Sequence, residues 1–298
     1  MVVETSGAGE ASGVVDSGVL NAELAGLDDL ERVVAAKPPL VWRVWSALWP
    51  KLAALAIVLT VWQLLVWTHW KSPYVLPGPD KVLPELFRQV SKATFWNGLE
   101  RTLRRAAVGY SFALVIGSII GVLVLQSSFL RRAFGSLITG VQTMPSIAWF
   151  PLAILFFKLN ESAILFVVVL GAAPSIANGL IGGVDHIPPL LLRSGRMLGA
   201  RGPSLYRHVI LPAALPSFVG GLKQGWSFAW RSLMAGELLV IVAGHPSLGV
   251  FLQNARDIND APWLLSMMIV ILVIGIVVDS LFTLADTSIR RRWGLLSS

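Results

Sequence analysis

The residues able to do chemistry in this chain are arginines, together with charges set inside apolar runs. Residues 190–212 read LLLRSGRMLGARGPSLYRHVILP, with Arg193, Arg196, Arg201 and Arg207 and no acid between them. Lying between two long apolar runs, this segment is suited to docking on a polar partner, not to bond-making. A second constellation follows in the next apolar run. Lys223, Trp230 and Glu237 recur at a spacing of seven, which places them on one helical face, and Gln224, Phe228 and Arg231 form the adjoining stripe. A charge within a bilayer costs at least about 2.5 kcal/mol on insertion scales, so it normally faces a cavity or a partner. Two readings of Arg231 stand: a cation on a translocation pathway, or a partner of an acid on a packed helix, such as Asp279. Glu237, closer to the outer end, then gates the path or meets a partner.

A third feature is Gln142-Thr143-Met144-Pro145-Ser146-Ile147-Ala148-Trp149-Phe150-Pro151. Each proline removes a backbone donor and clashes with the preceding turn, so a helix must kink or unwind here. Irregular backbone at membrane depth is tolerated where protein buries it or water reaches it. Met144 and Pro145 are therefore either pathway residues or a packing kink.

Catalytic signatures are missing. Residues 199–204 (GARGPS) lack the lysine of a phosphate-binding loop and put Pro203 where a cradle needs an N–H. No nucleophile elbow or H-E-x-x-H pair occurs. With 0 cysteines, disulfides, thiolate metal sites and Cys nucleophiles are excluded. The four histidines lack the close helical spacing of a metal pair. The chain is expected to carry no catalytic residue, metal or cofactor of its own.

Those residues need elements to hold them, and the composition says which. The chain has 298 residues, 55% hydrophobic and 14% charged, with a mean hydropathy of +0.70. That is a membrane protein, not an ordinary soluble domain. Its 12 Trp suit a bilayer interface. Taking about 20 apolar residues per crossing, six spans are expected over 52–70, 102–126, 134–157, 162–183, 213–243 and 263–287, an all-α architecture. Gly117 and Gly121 form a G-x-x-x-G pair for close helix approach. Residues 81–96 carry Leu83, Leu86, Phe87 and Val90 at helical spacing, either an amphipathic helix on the membrane surface or a solvated loop helix.

Residues 1–31 hold seven acids, Glu4, Glu10, Asp16, Glu23, Asp28, Asp29 and Glu31, and no base, so residues 1–36 are expected to form a disordered acidic tail. The remainder is basic. Its bases flank apolar spans, which argues for topology and against nucleic-acid binding. Residues 37–101 hold the first span and the outer segment, 102–289 the core, and 290–298 a basic end. With both termini cytoplasmic, Arg131, Arg132, the four-arginine segment and Arg290–Arg292 fall inside. Arg101, Arg104 and Arg105 fall outside, where they attract an anion or snorkel to headgroups.

The spacing of Gly199, Val209, Leu211 and Pro212 resembles the "EAA" docking loop of ABC importer permeases. Arg193-Ser194-Gly195 stands where the family has Glu-Ala-Ala. Residues 74–294 resemble the nitrate/sulfonate/taurine/bicarbonate branch of that family. The matching elements are Leu76-Pro77-Gly78-Pro79, Arg105 to Gly109, Met144-Pro145 to Pro151, residues 211–216, Trp230 to Glu237, Ser247-Leu248-Gly249 and Arg292-Trp293. This resemblance implies a type I importer (MetI-like) fold in a bacterial inner membrane. It also implies a second permease copy, two ATP-binding subunits holding ATP and Mg, and an extracytoplasmic substrate-binding protein. Residues 188–203 become the coupling helix, with Arg193, Arg196, Gly199, Ala200, Arg201, Leu211 and Pro212 at the ATPase contact. Met144, Pro145, Gln224, Trp230, Arg231 and Glu237 become pathway candidates. The implied cargo is a small anion, aliphatic sulfonate or taurine ahead of nitrate or bicarbonate. An ATP-independent secondary transporter or channel is the rival, opposed by the missing inverted repeat.

Overall fold

The computed structural model describes residues 40–292 apart from Pro73 and Ala243. The expected acidic tail and Trp293 lie outside that range. The described residues are helical, with no strand among them. The chain divides after Trp62 into two units. Helix α1 (Leu40–Trp67) begins in the first, contains Pro50, and offers the apolar stretch Leu48–Trp67. His69, at φ 51°, turns the chain out of it.

In the second unit, α2 (Pro79–Val90) starts with proline in its first turn, where a missing N–H costs nothing. Its packing differs from the expected stripe. Val82, Glu85 and Gln89 are buried while Leu83 and Phe87 face outward. Gln89 Nε2 donates to Glu85 Oε1 at 2.5 Å, so the polar pair satisfies itself on the inward side. The exposed leucine and phenylalanine suit contact with lipid.

Helix α3 (Ala93–Leu125) is one continuous 33-residue element and takes in Arg101, Arg104 and Arg105. The break in the third run is real and sharp. Helix α4 (Ser128–Thr143) ends at Met144, a 3₁₀ turn covers Ser146–Trp149, and α5 (Phe150–Phe157) resumes at a bend of 101°. Helix α6 (Glu161–Asp185) opens on Asn160, whose side chain accepts from Ser162 N at 2.9 Å. Helix α7 spans Pro189–Met197; after a turn at Pro203–Leu205 and a π-helical turn at Tyr206–Ile210, α8 covers Leu211–Leu239. The short α9 (Leu248–Asp257) and the long α10 (Ala261–Arg292) complete the order.

Among the described residues four helices are long and apolar enough to cross a bilayer, or five if the bent α4–α5 pair counts as one span. The remaining expected span, 213–243, coincides with α8. At 29 residues α8 is long enough. Its prolines, glycines, serines and internal charges leave it less apolar than the others.

Helix α6 is the centre of the packing, laid chiefly against α8 and α3. Phe150, Ile164, Val168, Ile176, Trp226 and Leu233 form its core. Lipid tails are as apolar as leucine, so close packing and hydrogen bonds must hold such helices together. Glycine supplies the approach: a Cβ on Gly179 would stand 2.5 Å from Gly221 Cα. The Gly117–Gly121 pair serves likewise, with Gly117 against the Ala173 carbonyl of α6. Tyr110 Oη donates to the Leu222 carbonyl at 2.8 Å, tying α3 to α8.

Candidate functional site

The unwound stretch after α4 borders a cavity of about 310 Å³, walled by Gln142, Met144, Pro145, Trp149, Phe228 and Arg231. The two prolines explain the opening, since Pro145 and Pro151 prevent α4 from continuing straight into α5. Gln142 Oε1 accepts from Asn178 Nδ2 at 2.7 Å, which hangs the end of α4 on α6. Of the pathway candidates, Met144, Pro145 and Arg231 meet here. Arg231 lies over the Phe228 ring at 4.7 Å and donates Nε–H to the Ser227 carbonyl at 3.1 Å. Both contacts are local to its own helix. Among the described residues no carboxylate pairs with it. Asp279, the acid considered as its partner, instead takes Lys223 at 3.2 Å, and Lys223 also donates to Thr283 Oγ1.

Arg231 borders a second cavity as well, about 620 Å³, between α8 and α10. Trp230 belongs to this one, stacked on Trp226 at 6.1 Å and 21°. Gln224 is exposed and lines neither cavity.

Glu237 lies elsewhere. It is 0% exposed, and its carboxylate is the hub of a buried network. Thr102 Oγ1 donates to Oε1 at 3.1 Å and Oε2 at 2.9 Å, Arg105 Nη1 to Oε1 at 3.0 Å, and Gly249 N to Oε2 at 3.0 Å. Arg105 Nη2 reaches Glu161 Oε1 at 2.9 Å. Gly249 opens α9, so the carboxylate also sits at a helix N-terminus, where the dipole favours an anion. A buried charge survives only when paired and hydrogen-bonded, and this one is. The expectation that Glu237 lines the path gives way to a structural role: it joins α3, α8 and α9. Gly249 must be glycine here, because a Cβ would come within 2.3 Å of Glu237 Cβ. Arg105 likewise is neither snorkelling nor holding a free anion; its charge is spent on two glutamates. The network beyond Glu237 was hidden because Thr102 and Arg105 stand 135 and 132 positions from it, although three of the matched segments hold Arg105, Glu237 and Gly249.

On the Glu161 side the network opens into a polar cavity of about 580 Å³, walled by Glu100, Arg101, Arg104, Glu161 and His245. Arg101 contacts His245 Nδ1 and lies 3.9 Å from Glu161.

The arginine segment is a short helix closed by a glycine, not a helix over 188–203. Gly199 has φ 87°. Gly199 N donates to the Arg196 carbonyl at 3.1 Å and Ala200 N to the Gly195 carbonyl at 3.0 Å, the two bonds of a Schellman cap. Gly202, also left-handed at φ 52°, redirects the chain into the next helix. Gly195 is buried against Val209, which fixes α7 to the turn below α8. Arg193, Arg196, Arg201 and Arg207 are all exposed, as are Met197 and Leu198 at 79% and 88%. Ala200 is half-buried; Leu211 is exposed and Pro212 half-buried where α8 begins.

Known proteins give this geometry a setting. Over 233 residues the chain is 28% identical to the taurine transport system permease protein TauC of Escherichia coli (strain K12), covering 76% of this chain and 84% of that one. It is 26% identical over 235 residues to the nitrate import permease protein NrtB of Synechocystis sp. (strain ATCC 27184 / PCC 6803 / Kazusa), covering 76% and 83%. In fold it is similar to a chain of the MetNI methionine ABC transporter in an inward facing conformation, with a TM-score of 0.56 at 22% identity, over 64% of this chain and 94% of that one. A family model described as "Binding-protein-dependent transport system inner membrane component" matches residues 113–293. The chain belongs to that family, and is a multi-pass permease subunit of an ABC importer and not an enzyme.

Proposed function

We propose that this permease passes a small anion through a pathway reaching the cavity at the α4–α5 break, with Arg231 as the cation that meets it. The observation carrying this reading is the unmatched guanidinium: Arg231 opens on that cavity with only its own helix as partner. A cation at membrane depth without an acid is costly, and a passing anion offsets that cost. Aliphatic sulfonate or taurine is the favoured cargo, with nitrate or bicarbonate next; the relatives' names carry taurine, aliphatic sulfonates and nitrate.

Two copies of the chain form the pore, both termini lie in the cytoplasm, and two separate ATPase subunits bind below it. The exposed face of α7 and its Schellman turn, with Arg193, Arg196 and Arg201 around Met197 and Leu198, seats on the ATPase. An apolar tip ringed by bases suits a hydrophobic pocket with an acidic rim. Arg193, standing where relatives of the resembled loop carry an acid, calls for an acid across the contact. Closure of the ATPases then drives rigid rotation of the helices.

The test is reconstitution of the permease with its ATPase and binding protein in proteoliposomes, scoring ATP-dependent uptake of labelled taurine, nitrate and bicarbonate. Uptake of one of these solutes that stops when Arg196 and Arg201 are both replaced by Glu supports the proposal. Uptake that persists without ATP, or with the double variant, overturns it.

A further inference from the structure

The polar cavity beside Glu161 has no part in the pathway described above. Helix α6 runs from Glu161, in that cavity, to Asp185, just before α7. Its 25 residues span about 36 Å at 1.5 Å per residue, more than the roughly 30 Å hydrocarbon core. The cavity and the arginine segment therefore lie at opposite membrane faces.

Its charges are only partly used. Arg105 is matched by Glu237 and Glu161, while Arg101 contacts His245 Nδ1 and lies 3.9 Å from Glu161. Glu100 and Arg104 are both exposed, and among the described residues neither has an ion-pair partner. They stand four apart on α3 with the acid first, the order in which such pairs normally close. Arg290 does close on Asp286, at 2.9 Å over the same spacing. The α3 pair forms no ion pair, its two Cα atoms about 6 Å apart along the helix axis.

We infer that this cavity is the docking surface for the extracytoplasmic binding protein, with Arg104 receiving a carboxylate and Glu100 a cationic side chain of that partner. The inference rests on the importer reading above. A wall carrying both signs disfavours a simple anion, because Glu100 and Glu161 repel it. A protein surface bearing an acid and a base complements both ends, and such complementarity sets register and association rate. The concave, polar character of the wall matches the wet rim of a transient interface.

The test uses the full permease–ATPase complex in nanodiscs and measures binding-protein affinity and stimulated ATPase activity. Arg104→Glu and Glu100→Lys should each weaken binding-protein affinity about tenfold or more and make the remainder less salt-sensitive, with basal ATPase activity unchanged. Arg104→Gln, a milder change, should weaken affinity by a few-fold and serves as the check on folding. Affinity within twofold of wild type for both reversals overturns the inference, as does normal affinity with a raised KM for uptake, which would make the cavity a solute site. A wild-type complex that ignores the binding protein would sink the importer reading itself, a result distinguishable from failure of the variants alone.

Discussion

Glu237→Ala removes the acceptor of three donors at once, Thr102 Oγ1, Arg105 Nη1 and Gly249 N. Breaking one side of a buried ion pair costs about 3–5 kcal/mol, because the remaining charge is left uncompensated. Here Arg105 keeps Glu161, but that carboxylate is 46% exposed on its side chain and so is already partly hydrated. It compensates a buried guanidinium less well than Glu237, whose exposure is 0%. At about 2–4 °C per kcal/mol for a chain of this size, the midpoint of thermal unfolding should fall by roughly 6–20 °C. The assay is thermal unfolding of the purified permease in nanodiscs. A second arm separates charge from packing: Arg105→Met combined with Glu237→Met leaves no buried charge orphaned. That double variant should cost less than the sum of its parts, by about 0.5–3 kcal/mol of coupling. A Glu237→Ala protein with wild-type stability, or strictly additive single variants, would refute the network.

Gly199→Val puts a β-branched residue at φ 87°, where only glycine is comfortable; α7 should lose its Schellman turn, and ATPase stimulation should drop with little loss of folded protein. Gly221→Leu drives a side chain into α6, where even its Cβ would stand 2.6 Å from Gly179 Cα; no folded permease should be recovered, as read by size-exclusion after detergent extraction. Asn178→Leu deletes the donor to Gln142 and should destabilise by about 1 kcal/mol, with a larger effect on uptake if the bend at Pro145 must be held.

Much of the fold was legible from apolar run length and breakers. The 101° bend falls between the two prolines that forbid a straight helix, and the spacing of Gly117 and Gly121 marks a close-packed face of α3, which the structure lays on α6. What was not legible depends on neighbours distant in sequence. Lys223, Trp230 and Glu237 do share a side of α8, since seven residues bring a helix back to within about 20°. Along that side the neighbours change: α10 meets Lys223, a cavity meets Trp230, and α3 with α9 meets Glu237. Periodicity gives direction around a helix, not what waits there. Likewise α2 shows the expected spacing of Leu83 and Phe87 but turns them outward, because in lipid the polar pair Glu85–Gln89 is the part needing shelter. The arginine helix stopped at Met197 and not at 203, since Gly199 caps a helix from just beyond its end.

We propose that Arg231 acts on cargo and not on the fold, and Arg231→Ala separates the two. Arg231→Ala strands no acid among the described residues, so its unfolding midpoint should stay within about 2 °C of wild type, the scale of an exposed substitution. Uptake of the transported anion by reconstituted proteoliposomes should nevertheless be abolished, and Arg231→Lys should restore part of it by returning the charge. A stable Arg231→Ala permease that takes up the anion at the wild-type rate would rule out a role for Arg231 in transport.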